Sequence, residues 1–515
     1  MNKFDPEQRY SGAAVRNFDD GTEPAEIASA PDKLNSIADQ VAAQYRRDTM
    51  SPAMFGGLFR LIEFTLIALS GFVVYGLYVG FATKPVWHYP AVILAGATLT
   101  VILLEFAGNY RMSVLRDPLP RLTRVLLSWC GVFALMALSG FFMKISADFS
   151  RIWFAGWFGS GLFCMAMLRL VMARLIRRWA RNGTMERRAV IVGGGPAAET
   201  LIRAVERQPA NDIRICGIFD DRDDARSPPI VAGYPKLGTI PELIRFARIA
   251  RIDMLIVSLP LTAEERVLTL LKKLWVLPAD IRLSAHANQL QFHRRSYSFI
   301  GSVPMLDIFD KPISDWDSVA KRMFDIVFSA LGLIVLSPVM LATAVAIKLE
   351  SKGPVIFRQK RHGFNNEIVD VYKFRSMYVE QCDPTARNAV TRDDPRVTRV
   401  GRIIRKTSID ELPQFFNALM GTLSLVGPRP HAISAQSHNR LYHEVVDGYF
   451  ARHRVKPGVT GWAQINGWRG EIDSDDKIKM RTEFDLHYIE NWSLWFDLKI
   501  LFLTPIRLMN TENAY

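Results

Sequence analysis

Asp410 and Glu411 stand side by side in Ser408-Ile409-Asp410-Glu411-Leu412-Pro413-Gln414, with Arg399, Arg402, Arg405 and Lys406 just before and Arg429 shortly after. Ser408 followed three residues later by Glu411 has the spacing of a capping box, which predicts a helix start with both carboxylates in its first turn. Carboxylates at the positive end of a helix stay ionised at neutral pH. That state suits a nucleophile or a Mg²⁺ ligand rather than a general acid. Taken alone, however, the segment fits a capped amphipathic helix with a salt-bridged surface better than it fits a site.

Other chemistry-bearing residues lie in short segments nearby: Tyr372-Lys373-Phe374-Arg375-Ser376-Met377, Gly427-Pro428-Arg429-Pro430-His431 and Arg454-Val455-Lys456-Pro457-Gly458-Val459-Thr460-Gly461-Trp462. Lys373, Arg375, Arg429 and Arg454 are candidate phosphate contacts, and Gln414 and Thr460 are candidate substrate-binding polar groups. Prolines on both sides of Arg429 restrict its backbone, so its guanidinium is presented at low entropy cost. Each cation alone is more often a solvated surface charge. The role of His431 stays open.

These segments need a scaffold, and 515 residues suffice for roughly three folding units. The apolar share of 49% and mean hydropathy of +0.08 are explained by four apolar segments near 54–80, 89–108, 122–143 and 149–170. Each is about long enough to cross a ~30 Å hydrocarbon core. Arg60 and Glu63 near the start of the first read as interfacial charges or an i,i+3 pair. Residues 1–50 are polar and Ala/Asp-rich, and are expected to be a disordered N-terminus.

Arg46 and Arg47 precede the first span, Arg111, Arg116, Arg121 and Arg124 flank the second-to-third connection, and Arg169, Arg174, Arg177, Arg178 and Arg181 follow the fourth. Lys84 alone lies between the first and second. The positive-inside rule then places both the N-terminus and everything after ~170 in the cytoplasm. The net charge of +13 is largely membrane-proximal, and no nucleic-acid-binding motif accompanies it, which argues against a nucleic-acid partner. The four cysteines, Cys130, Cys164, Cys216 and Cys382, are scattered, which speaks against a disulfide framework or structural zinc.

Residues 188–192 form an apolar strand entering Gly193-Gly194-Gly195-Pro196-Ala197-Ala198, followed by a helical pattern and a second strand ending in Asp220-Asp221. That order predicts a Rossmann-like α/β domain over 185–312, with Gly193, Gly195 and Asp220 as candidate nucleotide-binding residues. Ala198 in place of a third glycine and the intruding Pro196 leave open whether it binds a nucleotide or serves as a spacer or dimerisation unit. Ile326 to Ile347 is an uncharged stretch flanked by Lys321-Arg322 and by Lys348, Lys352, Arg358, Lys360 and Arg361. With Ser337-Pro338 at its middle and cations at both ends, residues 321–349 are expected to enter one leaflet, bend and return. Such a hairpin would anchor the C-terminal domain at the inner membrane face.

Taken together, the Lys-Arg start, the Ser-Pro hairpin, Lys-Phe-Arg-Ser-Met, Asp-Glu-Leu-Pro-Gln, Ser-Leu-Val-Gly-Pro-Arg-Pro and Lys-Pro-Gly-Val-Thr-Gly make the region ~318–515 resemble the bacterial sugar transferases, the monotopic phosphoglycosyl transferases. Gly467-Trp468-Arg469-Gly470-Glu471 and the closing Asn513-Ala514-Tyr515 look most like the undecaprenyl-phosphate glucose phosphotransferases of exopolysaccharide (colanic-acid-type) synthesis. Asn365-Asn366 replaces the family's residue-plus-glycine turn, and Ile472 stands where relatives often carry threonine. The resemblance implies four membrane helices, a Rossmann-like domain and a catalytic α/β domain on a re-entrant helix. It also implies transfer of a hexose 1-phosphate, glucose or galactose, from a UDP-sugar to undecaprenyl phosphate with release of UMP. By the same resemblance Asp410 is the nucleophile, Glu411 helps hold Mg²⁺, Arg429 cradles phosphate, and inner-membrane lipid and a second copy of the chain are partners.

Two other classes fit less well. A membrane-anchored nucleotide-sugar dehydratase needs a Tyr-x-x-x-Lys pair, and none of the 14 tyrosines has lysine four residues on. A non-catalytic scaffold of polysaccharide assembly has no need of Asp410, Glu411 and Arg429 together.

Overall fold

A computed structural model of the chain describes residues 10, 12–18, 34–45, 52–80, 87–110, 112–181, 186–207, 213–223, 226–259, 263–284, 297–300, 303–379, 394–431, 436–437, 440–446, 448–468, 470 and 474–508. Arg46, Arg47, Lys84 and Arg111 of the orientation argument, Cys382, and Arg469, Glu471, Ile472 and 513–515 of the resemblance lie outside them. The chain divides into two units, residues 49–187 and residues 1–48 with 188–515.

In the first unit every apolar segment is a helix, because in lipid each backbone N–H and C=O must be satisfied within its own segment. The helices are Pro52–Val74, continued by one wider turn through Val79, His88–Phe106, Leu122–Phe142 and Arg151–Arg181. All four are long and apolar enough to cross a membrane. Trp129, Trp153 and Trp157 are fully buried between them. A Cβ at Gly71, Gly96 or Gly161 would collide with Trp157 or Trp129, so these glycines make the close packing possible. Arg60 and Glu63 do not pair with each other. Arg60 meets Glu105 at 2.7 Å, while fully buried Glu63 takes the Arg169 guanidinium at 2.9 Å and the Tyr110 hydroxyl at 2.6 Å. A carboxylate away from water needs several donors at once, and one exposed neighbour on its own helix cannot supply them.

Among the described residues of the N-terminal fifty, expected to be disordered, lie two helices. Gly12–Asn17 (α1) and Ser36–Gln44 (α2) bury Val15, Ala38 and Ala42 in the core of the middle domain. Asn35 caps α2 by accepting from the Ala38 N–H at 2.8 Å. The Tyr45 ring lies against the Arg188 and Arg214 guanidiniums. Neither helix has a composition or length that forms in isolation; packing onto an apolar surface stabilises them.

That surface belongs to an eight-stranded mixed sheet of order β3-β4-β2-β1-β5-β6-β8-β7. Its strands are β1 Arg187–Val192, β2 Ile213–Phe219, β3 Ile230–Val231, β4 Tyr234–Gly238, β5 Met254–Val257, β6 Asp280–Ser284, β7 Tyr297–Ile300 and β8 Val303–Phe309. The β2–β4, β1–β5 and β5–β6 pairs are parallel, and β6–β8, β7–β8 and β3–β4 antiparallel. Helices Pro196–Glu206, Ile240–Ile249 and Glu264–Leu274 connect the parallel strands. Fully buried Val190, Val192, Leu255 and Val257 explain why β1 and β5 read as near-continuous apolar runs, whereas β6 alternates, burying Ile281 and Leu283.

The rest of the second unit is built on α3, a single 36-residue helix from Asp315 to Glu350 with Pro338 inside it. Proline cannot donate to the Ile334 carbonyl four residues back, and the Ser337 hydroxyl takes that acceptor at 2.7 Å. Near its start, Arg322 donates to the Ala418 and Leu419 carbonyls, each at 2.7 Å, at the end of α5 (Gln414–Met420). At its other end, Glu350 accepts from the Arg399 and Val400 N–H groups that open α4 (Arg399–Lys406). Both contacts complement a helix dipole. Lys321 is buried on Asp497 at 2.7 Å and the Val426 carbonyl at 3.1 Å.

After α3 come β9 (Ile356–His362) and β10 (Ile368–Phe374), an antiparallel pair. The connection puts Asn365 and Asn366 at φ of 52° and 61°, which asparagine tolerates. Asn365 is buried and donates to the Ala247 carbonyl at 3.2 Å, fastening this hairpin to the middle domain. A parallel pair, β11 (Ser424–Val426) and β12 (Gly458–Thr460), then leads to α6 (Asp475–Glu490) and α7 (Leu494–Leu508).

Candidate active site

The capping box does not form. Ser408 adopts φ 60° and ψ 16° and makes no side-chain cap bond, and Ile409–Glu411 is a single tight helical turn ahead of α5. Two cations from elsewhere in the chain outcompete the local backbone for the Glu411 carboxylate. Lys373, at the end of β10, reaches it at 2.8 Å. Arg429, in the turn after β11, reaches one oxygen at 2.5 Å and the other at 3.1 Å, a bidentate grip. Glu411 is 13% exposed, with Lys373 at 16% and Arg429 at 21%.

The two adjacent carboxylates are therefore in different states. Burial raises the Glu411 pKa, but Arg429 and then Lys373 more than offset this and hold the group well below the usual carboxylate range. Burial depresses Lys373, and Glu411 opposes that. Asp410 accepts no hydrogen bond from any described residue. Burial, with the neighbouring charge of Glu411 acting the same way, pushes its pKa up to about 6 against the pull of Lys373, Arg405 and Arg429. The expectation that both carboxylates share a low, helix-stabilised pKa thus holds for Glu411 alone, and by ion pairing rather than by a helix dipole. A group titrating near 6 that must be ionised to react gives an acidic limb. We expect kcat/KM to fall about tenfold per pH unit below ~6 and to level off above ~7, measured as initial rates from pH 5 to 8.5.

Around this pair stands a second layer that sequence spacing did not single out. Arg361 on β9 donates to the Pro430 carbonyl beside Arg429 and to Gln359 Oε1. Arg452 is fully buried, paired with Asp485 and donating to the Arg429 carbonyl at 2.9 Å. His431 meets the Tyr449 hydroxyl at 2.6 Å and Arg452. Burial, then the Arg452 charge, hold its pKa well below the ordinary histidine value, so it is a neutral structural group at pH 7. The Arg-Pro-His and Arg-His-Arg clusters were visible as basic sequence, but their pairing depends on α6 supplying Asp485.

Other candidates lie apart from Glu411. Arg375 is 3% exposed and donates to the Ser351 and Lys352 carbonyls at 2.9 and 2.7 Å, closing the end of α3 rather than presenting a free guanidinium. Arg454 is buried against the Phe309 ring and donates to the Asp310 carbonyl at 2.9 Å. Thr460 pairs its hydroxyl with that of Thr504 at 2.8 Å. Gln414 is buried at the first position of α5. Among the described residues no group of three or more His, Cys, Asp or Glu could hold a metal ion.

In the middle domain Gly193 and Gly195 take φ of 97° and 104° in the turn after β1. The Asp220 carboxylate accepts from the Gly194 N–H at 2.6 Å and from the Arg222 side chain at 2.9 Å, while Arg222 also reaches the Gly194 carbonyl. Ser227 and the Arg226 carbonyl lie where a Cβ on Gly194 or Gly195 would point. Asp220, Arg222, Arg226 and Ser227 of the chain itself thus crowd the glycine turn.

Comparison with known proteins agrees with this division. Residues 105–285 match a CoA-binding domain family. Residues 316–511, which hold every member of the Asp410–Glu411 cluster, match the bacterial sugar transferase family. The chain is 33% identical over 488 residues to a UDP-glucose:undecaprenyl-phosphate glucose-1-phosphate transferase of Xanthomonas campestris pv. campestris, covering 93% of this chain and 100% of that protein. It is 38% identical over 372 residues to the protein of the same name from Escherichia coli (strain K12), covering 71% and 76%. It is 41% identical over 332 residues to an undecaprenyl-phosphate glucose phosphotransferase of Komagataeibacter xylinus, covering 64% and 60%. With a relative matched along its whole length and residues 316–511 matching the family's own model, the chain belongs to the bacterial sugar transferase family.

Proposed function

We propose that the protein transfers glucose 1-phosphate from UDP-glucose to undecaprenyl phosphate, releasing UMP, as the first membrane step in building an exopolysaccharide repeat unit. The observation that carries this reading is the asymmetry of the two carboxylates. Glu411 is fixed by Lys373 and Arg429, whereas Asp410 beside it is left without a hydrogen bond from any described residue. An ionised Asp410 oxygen attacks the β-phosphorus. The bond from that phosphorus to the bridging oxygen breaks, and UMP leaves with the electron pair. An oxygen of the lipid phosphate then displaces the Asp410 carboxylate, giving the lipid-linked diphosphate sugar and restoring the free carboxylate. Arg429 and Lys373 neutralise phosphoryl charge in both displacements, the larger part of catalysis in such reactions.

Mg²⁺ fits this donor set. It retains several waters and binds through one or two carboxylates plus substrate phosphates, and Asp410 is free to be such a ligand whereas Glu411 is held by two cations. When bound, it would neutralise diphosphate charge.

The re-entrant shape of α3 belongs to the same reading. A straight helix would hold Arg322 and Glu350 about 42 Å apart, at 1.5 Å per residue. Yet Arg322 near one end closes α5, Glu350 at the other opens α4, and only the 407–413 segment joins those two short helices. A bend at Ser337-Pro338 reconciles these contacts and leaves exposed Ile334, Val335 and Leu341 at the tip for one leaflet. It keeps the catalytic domain on one membrane face, the cytoplasmic face by the arginine distribution, where UDP-sugars are made. For the middle domain we favour a spacer or dimerisation role, because Asp220 and Arg222 fill the glycine turn.

The function is tested by UMP release from full-length protein in lipid nanodiscs, with and without undecaprenyl phosphate, across UDP-glucose, UDP-galactose and their N-acetyl forms. UDP-glucose should be turned over fastest and yield a lipid-linked product. Preference for UDP-galactose would overturn the sugar, and no UMP from any donor would overturn the activity.

A further inference from the structure

Arg481 lies on α6, one helical turn before Asp485. It is 4% exposed, and its Nε and one terminal nitrogen are buried without a hydrogen-bond partner. An arginine fork that deep is ordinarily filled by a carboxylate or phosphate, because leaving its donors empty forfeits their full solvation. Asp485, one turn along the same helix, is taken by Arg452. Arg452 in turn holds the Arg429 carbonyl, which brings α6 against the turn that carries Arg429.

Charge points the same way. Arg361 reaches that turn through the Pro430 carbonyl. The positive charge of Arg429 is, after burial, the foremost influence holding down both Arg361 and Arg481, each lowered to about 10. Arg361 and Arg481 thus each feel the Arg429 charge, Glu411 is committed to Arg429 and Lys373, and Asp485, the carboxylate that bears on Arg481, is paired with Arg452. Such excess of buried positive charge is stable when an anion joins it.

We propose that Arg481 is a substrate-binding residue whose empty donors take a phosphoryl oxygen of the nucleotide-sugar diphosphate, opposite Arg429. This rests on the transferase reading above, in which the donor's β-phosphorus must come to Asp410 beside the Arg429–Glu411 pair. The donor, rather than the lipid phosphate, is chosen because it is the first anion that Asp410 needs.

The test uses full-length Asp410→Asn protein in nanodiscs, so that the donor binds without turnover, with and without Arg481→Met. Binding of UDP-glucose is read by equilibrium dialysis, binding of farnesyl phosphate as a lipid-phosphate probe in a second arm, and the ligand-free thermal midpoint in a third. Arg481→Met should weaken UDP-glucose binding by about tenfold or more, with Arg481→Lys recovering part of it, and leave farnesyl phosphate unchanged. The ligand-free midpoint should stay level or rise, because methionine removes an unpaired buried charge. A lowered midpoint with unchanged UDP-glucose affinity would make Arg481 structural and overturn the proposal. Loss confined to farnesyl phosphate would overturn the donor assignment. Failure of both the Asp410→Asn parent and the unsubstituted protein to bind UDP-glucose would overturn the transferase reading and this proposal with it.

Discussion

Asp410→Asn should lower turnover by about 10³-fold or more while leaving the protein folded. The amide has nearly the shape of the carboxylate but no nucleophilic oxygen anion, and no described residue donates a hydrogen bond to Asp410 that the change would break. The sign of the stability effect follows from the pKa. Asp410 titrates at about 6 in the fold, above the ~3.9 of an unfolded chain. The contribution of its neutral form is therefore fully present below ~4 and lost as pH rises through ~6. Asparagine keeps a neutral group at every pH, so at pH 7.5 the variant should melt no lower than the parent. UMP release and thermal unfolding measured on one preparation check both halves. Turnover within tenfold of the parent would remove Asp410 from the chemistry, and a large drop in midpoint would make it structural.

Glu411→Gln should do the opposite to stability. It leaves Lys373 and Arg429 partly buried without their counter-charge, and breaking a buried pair of this kind costs about 3 kcal/mol after allowance for the partial exposure of all three groups. Because the Glu411 pKa lies well below the usual range, its contribution is present above ~4.3 and lost as pH falls through the folded value. The gap between parent and variant should thus be widest near neutrality and narrow in acid. Turnover should fall by about 10²-fold as well, since Arg429 and Lys373 lose the carboxylate that aims them. Denaturant unfolding at pH 7 and pH 4 reads the first effect and UMP release the second. Equal stability of the two proteins at pH 7 would show that the pairs carry no weight.

The opposed expectations for two neighbouring residues mark how far the sequence could be read. That Asp410 and Glu411 stand among cations was legible from the basic residues and the Pro-Arg-Pro turn about them, and the resemblance made them candidates for a site. Their different states were not, because Lys373 comes from β10 and Arg429 from the turn after β11, and only the fold brings both to Glu411. Arg375 looked equivalent to Lys373 two positions earlier. Side chains two apart share a face only while a strand continues, and β10 ends at Phe374, so Arg375 turns to the end of α3 instead. Asp220 stood at the spacing of a ribose ligand, but a nearby arginine and an open glycine N–H satisfied it within the chain. The apolar spans were plain because length and hydropathy alone decide them. The helices at 12–17 and 36–44 were hidden because their stability comes from the sheet they cover.

A covalent phosphosugar on Asp410 is the step on which the proposed reaction turns, and one measurement reaches it directly. Full-length protein in nanodiscs is mixed with UDP-glucose labelled at the β-phosphorus, without any lipid phosphate, and quenched within seconds. Label should appear on the protein with an equal amount of UMP, be missing from Asp410→Asn, and be discharged when undecaprenyl phosphate is added. UMP formed only when the lipid is present, with no label ever on the protein, would contradict the covalent route and assign the reaction to direct displacement between the two substrates.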